Sequence, residues 1–291
     1  MIQSGVINVL KPPGMTSHDV VAFIRRLYGI KRVGHAGTLD PAAAGVLPIF
    51  LGSATRLVEY LADADKSYRA ELTFGFATDT GDDTGNILAT SPCSKPESAQ
   101  IKGVLASFVG DSEQIPPMYS AVKIGGKKLY ELARSGQVVE RKPRSIKIDA
   151  ISLVAEYETG FLFDVTCSKG TYIRTLCIDI GNKLSNLAVM SFLVRTRVGN
   201  FYLQHSLTLE EIAADREKAI QKPDSVLTHL PSLVLSEQDS YAVRTGRAIV
   251  CDRMGAELVK LYDWQKNFIG IGRESERTIG QSILAPLKIL G

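Results

Sequence analysis

The chain is poor in the residues that build metal centres and disulfide frameworks: four cysteines and four histidines in 291 residues. Cys93, Cys167, Cys177 and Cys251 contain no CxxC pair, and no two of His18, His35, His205 and His229 stand at metal-ligand spacing. A zinc or other metal site is therefore not expected. No uncharged apolar run approaches the ~20 residues that cross a bilayer, so no membrane partner is expected. The opening MIQSGVINVLKPPG lacks the basic and apolar regions of a signal peptide. A cytoplasmic location with reduced thiols follows as the expectation. Neither sign of charge dominates: 34 Lys and Arg against 31 Asp and Glu give +3, which by itself implies no nucleic-acid partner. There is no internal repeat and no low-complexity tract.

What is present is a composition able to fold. With 45% hydrophobic and 22% charged residues the chain can bury a core. Its length suits one large domain, or a large one and a small one. The charge is unevenly placed. Residues 120–147 hold eight basic residues (Lys123, Lys127, Lys128, Arg134, Arg141, Lys142, Arg144 and Lys147) against Glu131 and Glu140, a net +6, so the rest sums to −3. Gly125, Gly126 and Tyr130 punctuate the run, and Tyr119 precedes it. Such a segment is either a solvated hairpin or a polyanion contact, and its concentration in an otherwise acidic chain favours RNA or DNA.

VINVL (6–10) reads as a strand ended by KPPG. Thr16 or Ser17 can cap a helix whose face is Val20, Phe23, Ile24 and Leu27. The GHAGTLDP loop follows, then a helix near 54–61. Residues 67–76 alternate as a strand with Tyr68, Ala70, Leu72 and Phe74 on one side, and TDTGDDTGN makes a polar turn. Helices are expected at 97–108, 171–184 and 186–196, strands at 146–155 and 161–167, and a capped helix start at 207–214. From about residue 231, short β-like runs alternate with glycines and suggest a small barrel.

One stretch stands out. GHAGTLDPAAAGVLPIFLG (34–52) carries a single formal charge, the Asp40 carboxylate, among small and apolar residues. An aspartate before proline is commonly a turn or capping residue; it is also a candidate catalytic acid, with Gly34, Gly37 and Gly45 permitting close approach. A carboxylate withdrawn from water needs a cation to stay ionised, so an active Asp40 requires a partner, for which Arg174 in SKGTYIRTL is a candidate. Arg174 also reads as a solvated helix charge. Tyr68 is sheet packing or a stacking platform for a base. His35 is a turn residue, a metal ligand or a stacking ring. The three aspartates of TDTGDDTGN fail the EF-hand pattern, and IGGKK (124–128) lacks P-loop spacing.

Taken together, GHAGTLDPAAAGVLPIFLGSATRL, KPPGMTSHDVV, KSYRAELTFGFATDTGDDTG, QIPPMYSAVKIGGKKLYELAR and CSKGTYIRTLCIDIG resemble the motifs of the bacterial tRNA pseudouridine-55 synthases, in order, across residues 6–200. The resemblance implies catalytic Asp40, Tyr68 and Arg174. It implies RNA-binding roles for His35, Tyr172, Leu193, Lys127, Lys128 and Arg141, with Lys11 and Pro12 supporting the active-site loop and Leu193 placed through the helix after Arg174. The implied fold is α+β: a mixed, mostly antiparallel sheet with flanking helices in a catalytic domain (1–230), a basic arm inserted at about 120–147, and a PUA-like RNA-binding barrel (231–291). The implied partner is tRNA, bound by a monomer with no obligate protein partner and no cofactor. The implied reaction is isomerisation of uridine 55 by base flipping, with help to tRNA folding as a further role. The residues leave open whether Asp40 attacks C1′, attacks C6, or serves a glycal route. A nucleoside hydrolase and a non-catalytic tRNA-folding aid are the alternatives.

Overall fold

The computed structural model describes residues 4–92, 94–278 and 280–290; Cys93 lies outside them. Strand β1 (Ser4–Lys11) ends at the two prolines. Helix α1 (Ser17–Tyr28) begins with a capping box. The Thr16 hydroxyl accepts from the Asp19 amide at 3.1 Å, and the Asp19 carboxylate accepts from the Thr16 amide at 2.8 Å. Left-handed Gly29 closes it at φ 65°. Strands β2 (Val33–His35) and β3 (Ala44–Gly52) bracket the GHAGTLDP loop. A 3₁₀ turn at 53–57 and helix α2 (Val58–Ala62) stand where one helix is expected.

Strand β4 (Lys66–Phe74) buries Tyr68, Ala70, Leu72 and Phe74, the side its alternation marks. The polar turn joins β5 (Phe76–Thr78) to β6 (Ile87–Thr90). Helix α3 (Ser98–Ala106) and β7 (Gly110–Gln114) lead to the basic segment. That segment forms a small hairpin, β8 (Lys123–Ile124) and β9 (Lys127–Lys128), and helix α4 (Leu129–Arg134). Its last basic residues, Arg144 and Lys147, already belong to β10 (Arg144–Glu156), and Lys147 pairs with Asp149 at 2.7 Å. Strand β11 (Gly160–Cys167) and helix α5 (Ile173–Lys183) follow.

Residues 186–196, expected as a helix, are instead most of β12 (Ala188–Val198). The misleading signal is the apolar spacing of Ala188, Val189 and Met190 against Leu193 and Val194. The β12 register also shifts between Met190 and Phe192 and between Arg195 and Arg197, which interrupts the two-residue alternation. The β12 strand is the spine of the molecule. It pairs antiparallel with β4 and parallel with β3. The nine-stranded sheet runs β1-β3-β12-β4-β11-β10-β7, with β2 beside β3 and β13 (Phe201–Tyr202) beside β12, and only the β3–β12 pairing is parallel. Helix α6 (Leu209–Ala214) starts at Thr208 with a capping box of its own.

The C-terminal run forms its own curled five-stranded sheet. Its order is β14 (Ser232–Val234), β16 (Leu258–Tyr262), β17 (Phe268–Thr278), β18 (Gln281–Ile289) and β15 (Ile249–Asp252). Helix α7 (Glu237–Arg244) packs against it through Val243. The two sheets share apolar contacts: Leu258, Phe268, Ile271 and Leu290 join Leu57, Leu61, Val226 and Leu227 in one cluster. Polar ties cross the same junction, from the Tyr262 hydroxyl to Asp224 at 2.5 Å and from Lys288 to Glu59 and the Arg56 carbonyl.

Candidate active site

The loop between β2 and β3 carries Asp40 and is held along its length. Ser17 sits beneath it: its hydroxyl accepts from the Leu39 amide at 2.9 Å and donates to the Leu39 carbonyl at 3.2 Å. Lys11 is fully buried and gives its ammonium protons to the carbonyls of Met15 (2.6 Å), Pro12 (2.8 Å) and Pro41 (3.2 Å). The Gly14 amide donates to the same Pro41 carbonyl at 2.8 Å. On the other side, Arg195 of β12 donates to the carbonyls of Gly37 (3.0 Å), Thr38 (3.3 Å) and Val46 (2.8 Å). Leu39 points into the core and Asp40 turns outward. Lys11 thus ties the segment after β1 to the Asp40 loop from inside the fold. Burial pushes its ammonium down to about 8, opposed by the nearby Asp40 carboxylate.

Asp40 meets Arg174 at 3.1 Å, although 134 positions separate them in the chain. Arg174 stands in the first turn of α5 and is itself oriented by donation to the carbonyls of Thr80 (2.9 Å) and Tyr119 (2.8 Å). Its Nε lies 3.8 Å from the Asp82 carboxylate. The burial is the inverse of the expectation. The Arg174 side chain is 6% exposed, whereas the Asp40 side chain is 42% exposed. The cation is built into the fold and the acid keeps one open side. Asp82 escaped the sequence reading because a polar turn accounts for its neighbourhood. Its carboxylate accepts from Thr80 and Thr84 hydroxyls at 2.7 Å each, which is that turn, and also faces Arg174.

Tyr68 lies on the same side of the sheet, 8% exposed and in one apolar cluster with Leu39, Ala43 and Ile173. Burial pushes the Tyr68 phenol above the usual tyrosine range, which Arg195 opposes and the Asp40 charge reinforces. Leu193 packs on this cluster from β12, paired with Ala70, and so reaches the site from a strand rather than from a helix. Tyr172 caps α5; the Gln114 side chain accepts from its amide at 2.8 Å and donates to its carbonyl at 3.1 Å. His35, in β2, meets the His18 ring edge-on at 5.8 Å. Burial lowers the His35 ionisation, and its Nδ1 is buried without a partner.

Of the arm residues, Lys127 is exposed and Lys128 lies over the Tyr130 ring, 5.3 Å from its centroid. Arg141 is turned inward onto the Pro116 carbonyl at 3.0 Å and braces the root of the arm. Among the described residues no group of three or more His, Cys, Asp or Glu side chains is placed to hold a metal ion.

Three family models cover this chain in succession. The TruB family pseudouridylate synthase N-terminal domain matches residues 25–173, the tRNA pseudouridylate synthase B C-terminal domain matches 174–234, and the pseudouridine synthase II TruB C-terminal model matches 231–279. The chain belongs to the TruB family. Its curated relatives agree. A protein of Caldanaerobacter subterraneus subsp. tengcongensis named tRNA pseudouridine synthase B is 50% identical over 275 residues, 94% of this chain and 95% of that one. The Bacillus subtilis protein of the same name is 46% identical over 266 residues, 88% of this chain and 86% of that one. Among solved structures, the crystal structure of a Cbf5-Nop10-Gar1 complex matches with a TM-score of 0.76 at 30% identity, over 99% of this chain and 85% of that one. An H/ACA RNP bound to a substrate RNA containing 2'-deoxyuridine matches with a TM-score of 0.74 at 28% identity, over 99% and 85%. A TruB family member is an isomerase, so the site has to rearrange a nucleoside rather than hydrolyse it.

Proposed function

We propose that this TruB family chain isomerises uridine 55 in the TΨC arm of tRNA to pseudouridine, with Asp40, Tyr68 and Arg174 as its catalytic residues. The observation that carries the reading is the 3.1 Å ion pair between the half-exposed Asp40 and the buried Arg174. A single carboxylate aimed by a fixed guanidinium suits a reaction in which positive character develops at the ribose C1′. The names of the relatives supply the substrate class.

The target uracil is stacked inside a folded RNA loop and has to be everted, at a cost of a few kcal/mol that stacking partly offsets. Tyr68 provides that stacking, Leu193 lies under the flipped base, and His35 with Tyr172 contacts the opened loop. The N1–C1′ bond then breaks beside the Asp40 carboxylate. The freed uracil turns, C5 bonds to C1′, the C5 proton leaves and N1 gains one. The rearrangement is internal, so it needs no cofactor. A hydrolase needs a second carboxyl group to activate water, and the acid nearest this pair, Asp82, is committed to its turn and to Arg174. The exposed Lys127, with Lys128, grips phosphate through the arm. Residues 1–230 are the catalytic domain and 231–291 a PUA-like RNA-binding domain of a cytoplasmic monomer.

The test is incubation with unmodified tRNA followed by nucleoside analysis and mapping of the modified position. Pseudouridine at position 55 alone is the expected result. Unchanged RNA would leave a binding protein, and free uracil a hydrolase.

A further inference from the structure

Arg195 is the largest fully buried side chain among the described residues, 1% exposed, and no carboxylate lies within ion-pair distance of it there. Burying an unpaired guanidinium is costly, so its placement requires a reason. It sits opposite Tyr68 in the β12–β4 ladder and opposite Gly45 in the β12–β3 ladder. Gly45 lets the Arg195 backbone approach, and Gly37 lies beside the guanidinium. A Cβ on Gly45 would lie 2.3 Å from the Arg195 carbonyl oxygen, and one on Gly37 would lie 3.4 Å from its Nη1. Its fork then reaches the carbonyls of Val46, Thr38 and Gly37, and, directly opposite Tyr68 in the ladder, the guanidinium opposes the upward push of burial on the phenol. A guanidinium only donates. In a bond between the two, the Tyr68 oxygen is the acceptor.

We propose that Arg195 is a positioning residue for the isomerisation, fixing the Tyr68 ring and the Asp40 loop in one mutual geometry through the phenol oxygen and the loop carbonyls. This rests on the assignment of Asp40 and Tyr68 made above. One rigid planar donor spans the stacking platform and the loop, which enter from different strands. A lysine ammonium concentrates its three donors on one atom and lacks the fixed planar spread of the guanidinium that reaches both. Lys11 and Ser17 secure the loop from below, so loss of the Arg195 fork leaves the loop attached but free to shift against Tyr68.

The test is a double-mutant cycle on single-turnover pseudouridine formation. Arg195→Lys should lower kcat about 10²-fold, the scale of an ångström-sized misplacement, with KM and tRNA affinity within about threefold. In Tyr68→Phe, which still stacks but has no hydroxyl, the same change should cost roughly tenfold less. Equal losses in the two backgrounds, or an unchanged kcat in Arg195→Lys, would overturn the proposal. Should Arg195→Lys fail to fold, nitrogen-15 spectra of the wild type and Tyr68→Phe decide. The Arg195 side-chain resonance should move when the hydroxyl is removed, and an unmoved resonance would overturn the proposal. Failure of the underlying assignment shows differently, as an Asp40→Asn variant that remains active whatever Arg195→Lys does.

Discussion

Lys66 opens β4 two residues before Tyr68, and its ammonium is folded back on the end of α2, donating to the carbonyls of Ala62 (2.8 Å) and Ala64 (2.6 Å). Helix C-termini favour cations, but burial dominates and pushes this lysine from 10.5 to about 8, with Arg195 adding to the effect. Between those values the unfolded chain holds a proton that the folded chain has released. Stability therefore gains from Lys66 as pH rises through that window. Comparison with Lys66→Met cancels the buried cysteines and tyrosines, whose ionisation burial shifts the other way. The melting temperature of the wild type relative to Lys66→Met should rise between about pH 7.5 and about pH 9.5. A flat or falling difference would contradict the burial account.

Elements differ in how openly the sequence announces them. Helix α1 and strand β4 were legible because their signals are local: a capping box with a 3.6-residue face in one, strict alternation in the other. Strands β3 and β12 were not. Val46 to Gly52 are all buried, so β3 shows no alternation, and two register shifts interrupt the alternation of β12. The motif that resembles the family marked Asp40, Tyr68 and Arg174. The tethers that place them depend on contacts such as Arg195 to Val46, 149 positions apart, which no local pattern encodes. The β3–β12 crossing is testable at Gly45, held at φ 114° against the Arg195 backbone. Gly45→Ala should destabilise by about 3 kcal/mol or more in chemical denaturation, from strain and clash together. The arm divides by side-chain placement. Replacing Lys127 and Lys128 by alanine should reduce the slope of log affinity for tRNA against log salt by roughly one per lost phosphate contact. Arg141→Ala should leave that slope nearly unchanged and speed amide exchange near residues 116–120, because its guanidinium is spent on Pro116.

At the scale of the whole molecule, the C-terminal sheet is docked rather than tethered. Ile271 is fully buried in the cluster that contains Leu57 and Leu227, and Lys288 ties β18 to the segment after β3. The two sheets should therefore unfold in one calorimetric transition, and a chain ending at residue 230 should melt at a lower temperature than the full chain; two separate transitions would refute a shared core.

The central claim is that the Asp40 carboxylate, aimed by Arg174, performs the rearrangement and does not serve to hold RNA. Single-turnover formation of pseudouridine by Asp40→Asn, measured beside its tRNA affinity, tests it most directly. Product should be undetectable while affinity stays within several-fold of the wild type. An Asp40→Asn protein that still converts uridine at the wild-type rate would contradict the account.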